Sequence, residues 1–469
     1  MSHTQSLLKN TLIYTVGNLG SRVLTFVLLP IYSFYLNREE VGYYDLILTS
    51  LMLLTPLLTL QISESVYRWL LDTKEGENQS KIISNGVLVL GFGIVLSTLL
   101  FILFRNQTKL EYLNYIFLIF ILYCVFPFLQ QTVRGLGKNK LYAGSSILNS
   151  VLLFAFSVLF IIVLKMKLEG LLISMLIANL VSVLFIVFKI NLFKFLSFKK
   201  FDRKFIRELL LYSWPLIPNT ISWWLINEVN RFIILGNLGL EDNGIFAVAI
   251  RFPSIILIIN SIFMLAWQDQ AIQIQDSKEK EKFYQKIFDA FMRFQICTAL
   301  LLIPVSRFVV QNFFGSDFSE SWKYMPILYL GVVYSSFAAF LGANYLGAKK
   351  TREIFTTTIY GSILNVAVCY LFINQIGLYA PTIGTLLGFI LIWILRLRKS
   401  GVGKSLNWKT FLLLNTISFL YFFLTHLEMF LIDLLMGLTS IILFWIFNQN
   451  LIKFLISATT KYIPIRYLK

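Results

Sequence analysis

Runs of apolar residues about twenty long, enough to cross a hydrocarbon core of about 30 Å as a helix, recur along the whole of this chain. About fourteen are recognisable, over 10–36, 42–67, 82–104, 112–133, 141–164, 169–190, 209–235, 244–267, 287–311, 324–346, 353–374, 377–395, 410–426 and 429–452. The gap at 426–429 is the least marked. Backbone amides and carbonyls find no water inside a bilayer, so each segment satisfies its own hydrogen bonds by becoming a helix. Hydrophobic residues make up 57% of the chain and charged residues 14%, against about a quarter charged in a soluble protein. The expected class is therefore all-α, integral to the membrane and multi-pass, with little chain left for a soluble domain.

The formal charge of +17 invites a nucleic-acid reading, but lysine and arginine concentrate in every second connection, as the positive-inside rule requires. That pattern places both termini in the cytoplasm and removes nucleic acid as a partner. The densest basic segment is LFKFLSFKKFDRKF, Leu192 to Phe205, between the sixth and seventh runs. Its interleaved Phe and Lys suit either a segment lying on an anionic leaflet or a solvated linker. Cys124, Cys297 and Cys369 fall within apolar runs without CxxC spacing, so they read as packing residues, with no metal and no disulfide framework. The opening MSHTQSLLKNTL has no small-residue cleavage site after its apolar segment and is expected to lead into the first span.

The two halves align at an offset of about 200 residues. YLNREEVGYYDL, Tyr35 to Leu46, matches NLGLEDNGIFAV, Asn237 to Val248, each with an acidic pair and then a glycine suited to a turn that opens the second helix of its half. SSILN at 145–149 matches GSILN at 361–365, and RGLGKNK at 134–140 matches YLGAKKT at 345–351. Six spans per copy is an even number, so both copies keep one orientation and form two lobes facing each other across a cleft. The expected divisions are an N-terminal six-helix lobe over 1–190, a basic cytoplasmic linker over 191–208, a C-terminal six-helix lobe over 209–398, and an additional helix pair with a cytoplasmic tail over 399–469.

Projected at about 100° per residue, the leading helix of each half has one polar face. In the first, Asn10, Thr11, Tyr14, Thr15, Asn18, Ser21, Arg22 and Thr25 converge on one arc. In the seventh, Asn219, Thr220, Trp223, Trp224, Asn227, Glu228, Asn230 and Arg231 share half the wheel, opposite Ile221, Leu225, Ile226, Val229, Phe232 and Ile233. The second helix carries Asp45, Thr49, Pro56, Thr59 and Ser63 on one face, with a kink expected at Pro56.

Glu228 and Arg231, three residues apart, are placed to neutralise each other on one helix. Arg22 and Arg251 have no acidic residue three or four positions away. Intramembrane arginine costs at least about 2.5 to 3.5 kcal/mol on insertion scales, so these two cases favour a functional cavity or an interhelical partner such as Asp45. A guanidinium fork matches phosphate oxygens, so Arg22, Arg231 and Arg251 suit an anionic cargo bearing phosphate. Asn18, Asn227 and Trp224 beside them suit contacts to sugar rings, while packing or an interface serves Trp223 and Trp224 equally. Asp45, Glu64 and Glu228 stand as counter-ions or as coupling sites for a proton or sodium ion.

The opening LLKNTLIYTVGNLGSRVLTFVLLPIYSFYLNREEVGYYDL, with NRFIILGNLGLEDNGIFAVAIRF leading the second half, resembles the polysaccharide-biosynthesis flippases of the Wzx type. Their superfamily also contains the multidrug and toxin extrusion transporters. The resemblance spans essentially the whole chain and implies a fold of that kind. It further implies movement of an undecaprenyl-pyrophosphate-linked oligosaccharide from the inner to the outer leaflet of the bacterial cytoplasmic membrane, for O-antigen, capsule or a similar polymer. The partners it implies are the polyprenyl-linked glycan, membrane lipids and the polysaccharide polymerase machinery. SRVLTFV, Ser21 to Val27, resembles the first helix of lipid II flippases, whose arginine at the Arg22 position lines a cationic cavity; a second arginine of that pattern is replaced by Leu28. By the same resemblance the last two helices form a groove for the lipid tail.

The expected mechanism is alternating access without covalent chemistry, so no enzyme activity and no cofactor are expected. No GxxxxGK[ST] is present to hold ATP. A cation-coupled exporter of the same fold predicts a cavity dominated by carboxylates rather than arginines. A membrane polymerase or acyltransferase predicts a buried catalytic histidine, whereas His3 and His426 lie at the terminus and a short outer turn.

Overall fold

The computed structural model describes residues 20, 24, 26–73, 77–107, 110–273, 280–347, 351–400, 406–449 and 451–453, and every element among them is helical. Contacts along the chain define two compact units, Met1–Phe232 and Ile233–Lys469.

In the first unit a helical stretch over 26–33 precedes α1 (Arg38–Leu58), α2 (Ile62–Asp72), α3 (Glu77–Phe104) and α4 (Leu113–Gly135). Then follow α5 (Asn139–Ser157), which continues as a π-helical turn over Val158–Val163, α6 (Lys167–Ile190), α7 (Arg203–Ser213) and α8 (Leu216–Asn227). A short helix α9 (Asn230–Asn237) runs across the boundary. α6 packs against α5 and α4, and α4 against α2.

The second unit holds α10 (Leu240–Arg251), α11 (Ser254–Gln273), α12 (Lys280–Phe313), α13 (Met325–Gly347), α14 (Thr351–Ile376), α15 (Tyr379–Ser400), α16 (Trp408–Thr425) and α17 (Phe430–Phe447). α15 packs along α14 and α13, and α16 and α17 pack on α12. α14 and α15 meet backbone to backbone: a Cβ added at Gly388 would lie 2.7 Å from the Gly361 carbonyl, and one at Gly384 2.8 Å from that of Asn365. Small residues at such crossings are how helices gain contact in a solvent as apolar as their own side chains.

Twelve helices among the described residues are long and apolar enough to cross a membrane, and they follow twelve of the expected spans in order. Of the first span, only residues 20, 24 and 26 onward are described. The seventh is interrupted twice, at Trp214–Pro215 and at Glu228–Val229. A count of fourteen is therefore not confirmed. Surfaces agree with a lipid solvent: on α17, Leu431, Leu434, Leu438, Ile441 and Ile442 are exposed, while Asn243, Asn365 and Gln295 are buried.

The repeated acidic motif opens a helix in both units, by two different caps. At α1, Asn37 Oδ1 accepts from Glu40 N–H (2.8 Å) and Asn37 N–H donates to Glu40 Oε2 (2.9 Å), a reciprocal capping box. At α10 the cap is Gly239, at φ 99, with Glu241 and Asp242 in the first turn. The glycines expected to form these turns, Gly42 and Gly244, lie instead inside their helices and are buried. The second span also differs from the expected single helix: Leu60 and Gln61 adopt left-handed φ of 53 and 54. That break puts Ser63 and Glu64 on α2, away from the Asp45–Thr49–Pro56 face of α1.

Candidate functional site

The polar face expected on a continuous seventh helix is broken where it becomes charged. α8 ends at Asn227, and Glu228 N–H donates to Trp224 O at 2.7 Å. Arg231 N–H then reaches Glu228 O at 3.2 Å and Phe232 N–H reaches Val229 O at 3.0 Å, the three-residue spacing of a tightened turn. A wheel drawn through this point does not hold, because the turn re-aims everything after Asn227. Breaking a helix frees carbonyls, and one of them is used: Arg231 Nη1 donates to Asn227 O at 2.8 Å.

The same guanidinium serves two carboxylates. Its Nε donates to Asp45 Oδ2 of α1 at 2.7 Å, and its Nη1 lies 2.8 Å from Glu228 Oε2. Arg231 and Asp45 are 5% and 4% exposed. The pairing expected with the neighbour three residues away is therefore present, and Asp45, expected as a partner for arginines without a near acidic residue, also bonds Arg231. Trp224 fixes the register of the two elements, its indole donating to Thr49 O at 3.0 Å, one turn along α1 from Asp45. The Trp224 ring also lies 5.6 Å from that of Phe232. Asn227 bonds its own helix, donating to Trp223 O at 2.7 Å. Two carboxylates and a guanidinium thus meet where Coulomb interactions are weakly screened.

Only some of the remaining expected site residues are described. Asn18 and Arg22 lie outside the described residues. Glu64, on α2, accepts from Gln131 of α4 at 2.9 Å instead of joining an arginine. Arg251 is half-buried in the last turn of α10, in the second unit, where a cation complements the helix C-terminus.

Two arginines escaped the sequence reading. Arg396 of α15 is 1% exposed. Its bonds run to neutral oxygens: Ala338 O (2.7 Å), Thr357 Oγ1 (3.1 Å), Thr358 Oγ1 (3.2 Å) and Ile354 O (3.3 Å). It sits in ILRLRKS, which reads as a basic flank of a span, and only the convergence of α13 and α14 shows that it turns inward. Arg307 of α12 lies 3.4 Å from Asp433 and 3.9 Å from Glu428, with Trp322 beneath it. Partners more than a hundred residues away leave no periodic signal.

Two apolar cavities lie in the second unit. One of about 500 Å³ runs between α12 and α17, lined by Val305, Phe308, Leu434 and Leu438 with Arg307 and Asp433. The other, about 400 Å³, is lined by Leu330, Tyr379, Ile383 and Phe419, from α13, α15 and α16. Each of the last two helices, expected together to form a groove for the lipid tail, lines one of these cavities.

The sequence model of a family described as polysaccharide biosynthesis protein matches residues 7–268, more than half of the chain. An uncharacterized membrane protein of Methanocaldococcus jannaschii, MJ1375, is 24% identical over 422 residues, covering 83% of this chain and 97% of its own length. Among solved structures, the lipid II flippase MurJ in an inward closed conformation matches with a TM-score of 0.67 at 16% identity, over 94% of this chain and 100% of that one. A multidrug resistance MATE family transporter of the MOP superfamily matches in its inward-facing conformation with a TM-score of 0.61 at 18% identity, over 83% and 96%. Its outward-facing counterpart matches at 0.58 and 18%, over 85% and 97%. At these identities the likeness is one of fold, and the chain shares that fold.

Proposed function

We propose, from the premise that this chain belongs to the polysaccharide biosynthesis protein family, that it is a flippase for polyprenyl-pyrophosphate-linked oligosaccharide. The cargo, undecaprenyl-linked in a bacterial cytoplasmic membrane, passes from the inner to the outer leaflet by alternating access and feeds a polymer such as O-antigen or capsule. The family match over residues 7–268 carries this reading. The inward-facing and outward-facing MATE structures of the same fold support a two-state cycle. Nothing covalent happens to the cargo, and the polymerase machinery takes it over at the outer leaflet.

Arg22, Arg231 and Arg251 bind the pyrophosphate, with Asn18, Asn227 and Trp224 toward the glycan. For Arg231 this is an exchange of partners, because pyrophosphate oxygens compete for the guanidinium that Asp45 and Glu228 hold at 2.7 and 2.8 Å. Asp45 and Glu228 are its counter-ions between transport events. The tail stays in lipid, for which the cavity between α12 and α17 offers an apolar lining.

A cation-coupled exporter is the second reading, favoured by the presence of two carboxylates, Asp45 and Glu228, on Arg231. Vesicles loaded with lipid-linked oligosaccharide separate the two. The flippase reading expects leaflet exchange without an imposed cation gradient, reduced at least about tenfold by Arg22→Ala with Arg251→Ala, and unaltered by Ile442→Ala, exposed on α17 outside the cavity lining. Normal exchange in the double variant would sink the role given to the arginines. Gradient-driven drug efflux with no lipid exchange would favour the exporter.

A further inference from the structure

The basic segment between α6 and α7 is not a loose tether. Ser80 and Ser84, in the first turns of α3, both donate to Phe195 O, at 2.6 and 2.9 Å. Ser197 N–H returns a bond to Ser84 Oγ at 2.9 Å. Asn85 donates to Lys200 O and accepts from Asp202 N–H, both at 3.0 Å, and Lys81 Nζ lies 2.7 Å from Asp202 Oδ2. These anchors belong to the first two turns of a membrane-spanning helix, Asn78–Phe104, and the segment itself leaves the end of another, Lys167–Ile190. It is therefore held at headgroup depth.

Beyond Asp202, which caps α7 through Lys204 N–H and Phe205 N–H, the helix presents two unequal faces. Leu209 and Ser213 are fully buried against the first unit, with Leu209 O accepting from Ser65 at 2.6 Å and Trp69 meeting Phe205 and Tyr212 edge-on. Arg203, Arg207, Leu211 and Trp214 recur at i, i+4, i+8 and i+11 on the other side, all exposed. Over about 16 Å this stripe passes from guanidinium to indole, the order in which a bilayer passes from phosphate to acyl chain. Phe193 and Phe201, 73% and 58% exposed, stand among Lys194, Lys199 and Lys204. Lys194, Lys199, Arg203, Lys204 and Arg207 form no ion pair with any described residue, whereas Lys81 nearby does.

We propose that residues 193–214 form a rigid docking face for anionic phospholipid headgroups, with Arg and Lys on the phosphates and Phe193, Phe201 and Trp214 set into the interface. Burying five cations' worth of counter-charge beside exposed aromatics fits acidic lipid and suits neither water alone nor neutral lipid. The site lies apart from the Arg231 group, and this inference does not rest on the flippase reading.

The test uses the purified full chain equilibrated with equal amounts of phosphatidylglycerol and phosphatidylcholine in mixed micelles, then reisolated, with retained lipid measured by mass spectrometry. Enrichment of phosphatidylglycerol is expected, and it falls by at least about tenfold in a variant carrying Lys194→Gln, Lys199→Gln, Arg203→Gln, Lys204→Gln and Arg207→Gln. Lys165→Gln with Lys167→Gln, in another connection, leaves it unchanged. If the fivefold variant unfolds, Arg203→Gln with Arg207→Gln carries the test, with an expected loss of about fivefold. No enrichment in the unaltered chain, or full enrichment in a folded variant, overturns the proposal. So does displacement of the lipid by a soluble RNA oligonucleotide at equal charge, which would make the face a general polyanion site.

Discussion

At the turn between α8 and α9, Arg231 is bound on three sides, by Asp45, Glu228 and the Asn227 carbonyl. Removing one member of a buried pair strands the other, so Arg231→Gln and Asp45→Asn are each expected to cost about 3 to 5 kcal/mol of stability. The double variant should lose less than the sum, which thermal unfolding of the four proteins in one detergent measures. A strictly additive result would show that the pair contributes nothing as a pair. At Asp202 the expected effect is one of pH. Bonds from Lys81 and from Phe205 N–H hold its carboxyl below the usual carboxylate range. A lowered native value stabilises the docked segment at pH above the unfolded value of about 3.9, and that contribution disappears as pH falls through the native value. Amide protection of residues 203–207 in hydrogen exchange should be flat from pH 7 to about 5 and decline below about 4 once intrinsic exchange is corrected. Asp202→Asn should remove the decline.

At the level of the elements, periodicity located most helices and misjudged two that contain breaks. The second and seventh spans are apolar enough throughout to read as single helices, yet they break at Leu60–Gln61 and at Glu228–Val229. Neither site has a glycine or proline to announce it; the first uses left-handed backbone at a leucine and a glutamine, the second a turn closed by its own arginine. Bonds from distant residues replace the lost helical ones, as when Gln61 donates to Thr220 at 2.9 Å. Such compensation is invisible to a local pattern. Pairing between helices was equally hidden for Arg307 and Arg396, whereas Arg231 could be suspected because one of its partners is three residues away. The contact of α14 with α15 offers a clean check. Gly388→Val would drive side-chain carbon into the Gly361 carbonyl, 2.7 Å from the nearest added atom. A destabilisation of at least about 1 to 3 kcal/mol is expected by thermal unfolding, with Gly437→Ala, where nothing lies within 4 Å, close to neutral.

Over the whole molecule, apolar length and the alternation of basic connections suffice to make this a multi-pass membrane protein, because a bilayer admits few ways to satisfy a backbone. If an anionic cargo charge crosses the field during transport, a cytoplasm-negative potential favours export by about 2.3 kcal/mol per charge per 100 mV. Collapsing an imposed potential in the vesicle assay should then lower outward accumulation of lipid-linked oligosaccharide, while unchanged accumulation would mean that the charge travels compensated. The sequence by itself determined the all-helical membrane class, the order of the spans and the family, since hydrophobic length and local motifs are written along the chain. Only the tertiary structure decided where helices break, that Asp45 holds Arg231 beside Glu228, and that the basic segment is pinned to α3. Those depend on groups far apart in sequence meeting in a medium of low dielectric, where a buried charge is costly unless it is paired and hydrogen-bonded.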